Sequence, residues 1–256
     1  MIYREAIEYF HLLFCNRLAA KVDRQFFCLK GGCNLRFYYQ SIRYSEDIDF
    51  DVHTTTVQTL KKNVDKILSD DNFNSILKHE NIEIVDWSNP KQTETTQRWK
   101  VSLKFENQHL NLPTKIEFSR RTKKFETSEV KHVTPSLISE YRLQPVLLQH
   151  YQLNAALKQK IQALINRTET QARDVIDLKI LKDQITEAEV FSISNEDKRK
   201  AIETLISVSF DHFKSQVWPY LMLQYQDHYK NPAVWNQVQE DVLNFLQALP
   251  CKNVQK

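Results

Sequence analysis

Apolar side chains recur at helical spacing from Tyr3 to about Val22, through Ile7, Phe10, Leu13 and Phe14, and predict an amphipathic helix laid over a core. Phe26-Phe27-Cys28-Leu29 predicts a short buried strand entering a Gly31-Gly32 turn, with a helix leaving it over Asn34 to Tyr39. Asp47 to Val52 reads as the next strand, about Thr56 to Asp70 as a polar helix, and Ile82-Glu83-Ile84-Val85 as another strand. Alternation is clearest in Val101-Ser102-Leu103-Lys104-Phe105 and in Leu112 to Phe118, with a loop over Asn107 to Asn111, so an antiparallel hairpin is the simplest arrangement. From about Ser136 the strand pattern stops. Leu153, Leu157, Ile161, Leu164 and Ile165 fall at helical spacing, and Ile202, Leu205, Val208 and Phe213 read as helical core. The aromatics Trp218, Tyr220, Tyr225, Tyr229 and Trp235 read as packing groups, with base stacking as their other use. The pattern as a whole predicts an α/β (α+β) fold: a mixed sheet with flanking helices over residues 1–135, then a helical region over 136–256.

At 256 residues and 41% hydrophobic, the chain can bury a substantial core, as one compact unit or two. No run of eighteen apolar residues occurs, and Met1-Ile2-Tyr3-Arg4-Glu5 lacks the basic-then-apolar order of a signal peptide; the expected setting is cytoplasmic, with no membrane partner. Cys15, Cys28, Cys33 and Cys251 show no Cys-x-x-Cys pairing, so they predict reduced thiols acting as small buried hydrophobes and not a zinc site. A net charge of +3 neither demands nor forbids nucleic acid.

Glycine usage does change the picture. Average usage predicts roughly 18 glycines in a chain this long, yet there are 2, side by side at Gly31-Gly32. Bare backbone there lets main-chain N–H groups approach phosphate oxygens, and a helix starting just beyond adds the positive end of its dipole; the turn suits a nucleoside triphosphate. Downstream lies Ser45-Glu46-Asp47-Ile48-Asp49-Phe50-Asp51. In a strand Asp47, Asp49 and Asp51 share one face, with Ile48 and Phe50 on the other. Hard divalent cations take oxygen ligands together with substrate phosphates, so Asp47 and Asp49 are candidate ligands for Mg²⁺ or Mn²⁺. The plain alternative is a solvated strand edge beside an ordinary turn.

Glu117, between Ile116 and Phe118, faces away from the core and is the candidate third carboxylate; its plain alternative is an exposed glutamate paired with Lys115 or Lys104. Arg120-Arg121-Thr122-Lys123-Lys124 is the densest basic cluster, either an attractor of phosphate-rich acceptors or a solvated loop. Lys160 borders an apolar helical stripe from which its ammonium could reach a cleft. In Arg173-Asp174-Val175-Ile176-Asp177-Leu178, Asp174 and Asp177 share a helix face that continues in Leu178 and Leu181, which predicts inward-pointing carboxylates. For Asp177 the favoured reading is a helix-local pair with Arg173.

The stretch Leu29-Lys30-Gly31-Gly32-Cys33-Asn34-Leu35-Arg36-Phe37-Tyr38-Tyr39, with Arg43-Tyr44-Ser45-Glu46-Asp47-Ile48-Asp49-Phe50 after it, resembles the signature of the AbiEii/AbiGii toxin family within the nucleotidyltransferase superfamily. Ala156 to Leu164, then Arg167, then Arg173 to Leu178, resembles that family's second signature. The resemblance implies a nucleotidyltransferase-type sheet core and a helical region that adds a lysine and an aspartate to the active site. Carried over by position, these are Lys160 and Asp174, with Lys158 as the competing lysine. It implies Asp47, Asp49 and Glu117 as the metal set, and Lys30, Gly31, Gly32, Arg43, Ser45 and Lys160 as triphosphate contacts; a pair with Glu46 is an equal account of Arg43. It further implies transfer of a nucleoside monophosphate from an NTP to the 3′ end of tRNA, and a cognate antitoxin as partner. A protein or small-molecule hydroxyl as acceptor, or a binding module that keeps the fold without turnover, are the competing expectations.

Overall fold

Seven strands form one mixed sheet. They are β1 (Phe27–Lys30), β2 (Ile48–Val52), β3 (Ile82–Gln92), β4 (Thr96–Phe105), β5 (Leu112–Ser119), β6 (Ser128–His132) and β7 (Leu147–Tyr151). Laterally they run β3-β4-β5-β2-β1-β7-β6. The computed structural model describes residues 1–105, 111–125, 127–167, 171–185 and 191–251. The predicted antiparallel hairpin of β4 and β5 is present, whereas residues 107–110 of its expected loop lie outside the described residues.

The chain divides into two compact units, the first made of Met1–Tyr38 and Tyr44–Tyr151, the second of Tyr39–Arg43 and the residues from Gln152 onward. The boundary therefore lies after Tyr151, not after residue 135. Strand signal does not end at Ser136 either, because β7 pairs parallel with β1 and antiparallel with β6. Its apolar pattern is masked by His150, which is buried and holds the Asn34 Oδ1 at 3.1 Å.

Helix α1 (Tyr3–Lys21) departs from the amphipathic expectation: every residue from Ala6 to Cys15 is buried, Glu8 and His11 included. A helix buried all round is a core element and not a lid. Its buried carboxylate is satisfied. Arg36 donates to Glu8 through Nε (2.7 Å) and Nη2 (3.0 Å), and the Tyr141 hydroxyl donates at 2.8 Å. Burial pushes the Glu8 carboxyl above its ordinary range, opposed in part by Arg36.

Helix α2 (Gly31–Tyr38) starts at the first glycine, three residues earlier than the pattern suggests. Thr56 caps α3 (Val57–Leu68) by accepting from the Thr59 N–H. A short helix unseen in the sequence, α4 (Asp71–His79), is capped by Asp70 and buries Phe73 and Leu77. Strand β3 runs on past Val85 with two register shifts, as an edge strand that contains Pro90 can. Helix α5 (Pro135–Glu140) precedes β7.

The second unit holds α6 (Leu153–Asn166), α7 (Ala172–Lys182), α8 (Asn195–Ser207), α9 (Phe210–Gln216), α10 (Leu223–Gln226) and α11 (Pro232–Ala248). Leu205, Val208, Phe213 and Trp235 are buried as expected, and the Phe213 and Trp235 rings stack at 4.9 Å. The segment 39–43 joins this unit through a bridge between Arg43 and Leu221 and a bond from the Met222 N–H to the Ile42 carbonyl. Cys15, Cys28 and Cys33 are buried and free, but Cys251 is exposed. Among the described residues no helix is long and apolar enough to cross a membrane.

Candidate active site

The two faces of the sheet carry opposite chemistry. β2 and β5 run parallel with Ile48 opposite Ile116, Asp49 opposite Glu117 and Phe50 opposite Phe118. The apolar members are fully buried, and Phe50 and Phe118 stack at 4.9 Å, so packing on that face fixes the register. The register in turn sets Asp49 and Glu117 side by side on the other face. β1 pairs antiparallel with β2 so that Lys30 lies opposite Asp49 and the chain turns at Gly31 against that carboxylate. Gly31 has φ +67°, and a Cβ on it would lie 2.8 Å from Asp49 Oδ2. Both the backbone conformation and the close approach therefore require glycine. Among the described residues Gly31 alone of the pair has positive φ.

The carboxylates on this face are held by cations. Lys115 Nζ lies 2.7 Å from Asp47 Oδ2, and the Lys115 backbone N–H donates to Asp47 Oδ1 at 3.0 Å. Arg98 Nη2 lies 2.6 Å from Glu117 Oε2, and its Nε donates to the same oxygen at 2.7 Å. Lys30 donates to Asp51 at 2.6 Å, and the Tyr151 hydroxyl donates to the other Asp51 oxygen at 2.7 Å. As a result, no three His, Cys, Asp or Glu side chains stand close enough to share a metal ion among the described residues. Adjacent carboxylates repel, and each of the outer two is turned to a cation. Glu117 is paired as its plain alternative foresaw, but with Arg98 in place of Lys115 or Lys104. The donor set still suits Mg²⁺ or Mn²⁺, being all hard oxygen with Asp49 and Glu117 adjacent.

A buried polar chain braces the backbone that presents Asp47. Thr114 donates its hydroxyl proton to the Glu46 carbonyl at 2.7 Å, so the 2.7 Å contact between Thr114 Oγ1 and His11 Nε2 has the histidine as donor. Cys33 Sγ sits 3.4 Å from the Asp47 carbonyl and 3.6 Å from His11 Nδ1. Ser45, expected on the triphosphate, donates to the Asp47 carbonyl at 2.8 Å and belongs to the same brace. Burial pushes His11 down to about 3, so it is a neutral imidazole at ordinary pH. The signal for His11 in the sequence is its place inside Phe10-His11-Leu12-Leu13, because a histidine on a buried helix must find a partner.

The basic run lies beyond the C-terminal end of β5, the end away from Asp47. Arg120 is turned inward, donating to the Thr55 carbonyl and to Gln97 Oε1. Arg121 and Lys123 are exposed.

In the second unit α6 and α7 bring Lys160 and Asp174 together. Lys160 Nζ lies 3.2 Å from Asp174 Oδ1 and 2.6 Å from Asp177 Oδ2, and Arg167 Nε lies 2.7 Å from Asp174 Oδ2. Lys158 is exposed, with its ammonium 5.2 Å from the centre of the Phe191 ring. Lys160 is thus the lysine that meets Asp174. Asp177 is not a helix-local group only: Arg43 donates to both its oxygens at 2.8 and 2.7 Å. Arg43 is itself buried and serves as a counter-ion of the buried Asp177 carboxylate. Burial would raise Asp177, but Arg43 and then Lys160 hold it down to about 2.

A mixed sheet with a glycine turn packed on an Asp-x-Asp strand, and a third acid on the neighbouring parallel strand, defines the nucleotidyltransferase class. The family model described as "Nucleotidyl transferase AbiEii toxin, Type IV TA system" matches residues 11–242. The chain belongs to this AbiEii family of nucleotidyltransferase toxins. Its fold is shared by JHP933 from Helicobacter pylori, with a TM-score of 0.61 at 20% identity over 96% of this chain and 94% of that one. It is shared also by MenT4, a nucleotidyltransferase toxin from Mycobacterium tuberculosis, with a TM-score of 0.57 at 16% identity over 95% and 86% of the two chains. No curated protein sequence matches the chain.

Proposed function

We propose that this toxin transfers a nucleoside monophosphate from an NTP to the 3′ end of tRNA in the cytoplasm, and that a cognate antitoxin restrains it. The acceptor hydroxyl oxygen bonds to the α-phosphorus as the bond to pyrophosphate breaks, and the hydroxyl proton leaves to water. The observation that carries the reading is Gly31 against Asp49: the backbone is bared at the point where the strand carboxylate and Glu117 stand side by side. The Gly31-Gly32 backbone and Lys30 receive the polyphosphate, as an open helix start next to a cation can. Asp47, Asp49 and Glu117 would hold Mg²⁺, which when bound neutralises phosphate charge. Ser45, with His11, Thr114 and Cys33, keeps the Asp47 backbone in place. For the second unit we assign phosphate contact to Lys160 and acceptor positioning to Asp174, the roles that the family resemblance implies for this pair.

The test is label transfer. The protein is incubated with each α-³²P-NTP and Mg²⁺ in the presence of total RNA, a protein extract or neither, beside Asp47→Ala/Asp49→Ala. Label in the tRNA band with wild type alone supports the reading. Label only in protein moves the acceptor, and equal transfer by the variant, or none by wild type in any pool, refutes the enzyme.

A further inference from the structure

The cations on the carboxylate face are arranged as an exchangeable set. Arg98 stands directly across the β4/β5 ladder from Glu117, and Lys115 lies two residues before Glu117 on the same face of β5. Each makes one short ion pair, Arg98 with Glu117 at 2.6 Å and Lys115 with Asp47 at 2.7 Å. Both remain accessible, with side chains 36% and 46% exposed. Ion pairs that open to water are weak, so they hold a carboxylate without locking it.

We infer that Arg98 and Lys115 are the resident counter-ions of the Asp47/Asp49/Glu117 site: they neutralise its outer carboxylates in the metal-free protein and are displaced by the divalent cation when it binds. The inference rests on the proposed nucleotidyl transfer and deepens it, since the displaced guanidinium and ammonium remain on the metal's face of the sheet, where polyphosphate charge arrives. It makes both residues modulators of metal affinity, acting through the carboxylates they hold.

Mn²⁺ alone is the probe, titrated into the full chain with free Mn²⁺ read by its paramagnetic resonance signal, so that no turnover is needed. Arg98→Gln and Lys115→Gln are each expected to tighten binding about two- to fivefold, the range of an exposed ion pair. Arg98→Lys, which keeps the charge, stays near wild type. Lys100→Gln is the control: this exposed lysine lies on the same face opposite Lys115, and its loss should change affinity by less than either variant. Unchanged or weaker binding in both Gln variants overturns the inference, as does an equal gain in Lys100→Gln. Asp49→Asn separates the two levels. If it abolishes the wild-type site while Arg98→Gln and Lys115→Gln change nothing, the metal site stands and the counter-ion role falls; if wild type has no site that Asp49→Asn removes, both fall.

Discussion

Gly31→Ala tests the join between backbone and chemistry. At φ +67° the residue is in the left-handed region, where a side chain costs roughly 1–2 kcal/mol. The new methyl would also stand 2.8 Å from Asp49 Oδ2. That oxygen ends a short side chain and can turn away, so the clash is relieved by displacing the carboxylate and not by unfolding the sheet. The expected result is therefore modest destabilisation, a melting temperature lower by about 2–8 °C at ~2–4 °C per kcal/mol, joined to a disproportionate loss of Mn²⁺ affinity and of label transfer. Gly32→Ala is the comparison. Gly32 has no positive φ and lies inside α2, where alanine in place of glycine gains about 0.5–1 kcal/mol, so its melting temperature should hold or rise. Thermal melts by far-UV circular dichroism and Mn²⁺ titration read the two effects separately. Wild-type melting and wild-type metal affinity in Gly31→Ala would refute the claim that this glycine is demanded by the Asp49 carboxylate.

The buried charges give further expectations. Asp177→Asn leaves Arg43 and Lys160 short of a counter-charge in a buried site, and breaking such a pair costs about 3–5 kcal/mol; urea denaturation should show it, and a loss under 1 kcal/mol would count against the network. His11 sets a pH dependence. Its folded value is depressed to about 3, so the unfolded chain takes up a proton below about 6.5 while the native protein does not. Its contribution is therefore complete above about 6.5 and is lost as pH falls toward 3, with a slope near 1.4 kcal/mol per pH unit. His150, held near 4 by burial, acts in the same direction. Comparing wild type with His11→Gln between pH 6 and 4.5 isolates the first term, and identical slopes would show that His11 is charged in the folded protein.

The apolar face of the sheet was legible because it obeys a period of two: Ile48/Phe50 and Ile116/Phe118 announced both strands, and with them the side on which Asp49 and Glu117 had to lie. The glycine turn was legible for the opposite reason, being a residue the rest of the chain avoids. Buried polar elements were not. β7 carries His150 and Gln149 among its five residues, and α1 places Glu8 and His11 where an amphipathic reading expects solvent.

The counter-ions divide on the same physical ground. Arg98 could have been found: once Leu103 is set opposite Leu112, extending the antiparallel ladder brings Arg98 opposite Glu117, so a local register already contains the pair. Arg43 could not, since its contact with Asp177 joins a five-residue segment before β2 to a helix 134 residues later, and no periodicity links the two. A sequence therefore shows which carboxylates face away from apolar packing, but the cation that answers each one is fixed by strand register or by tertiary closure. On the counter-ion proposal, that choice of cation adjusts a metal affinity that the carboxylates set.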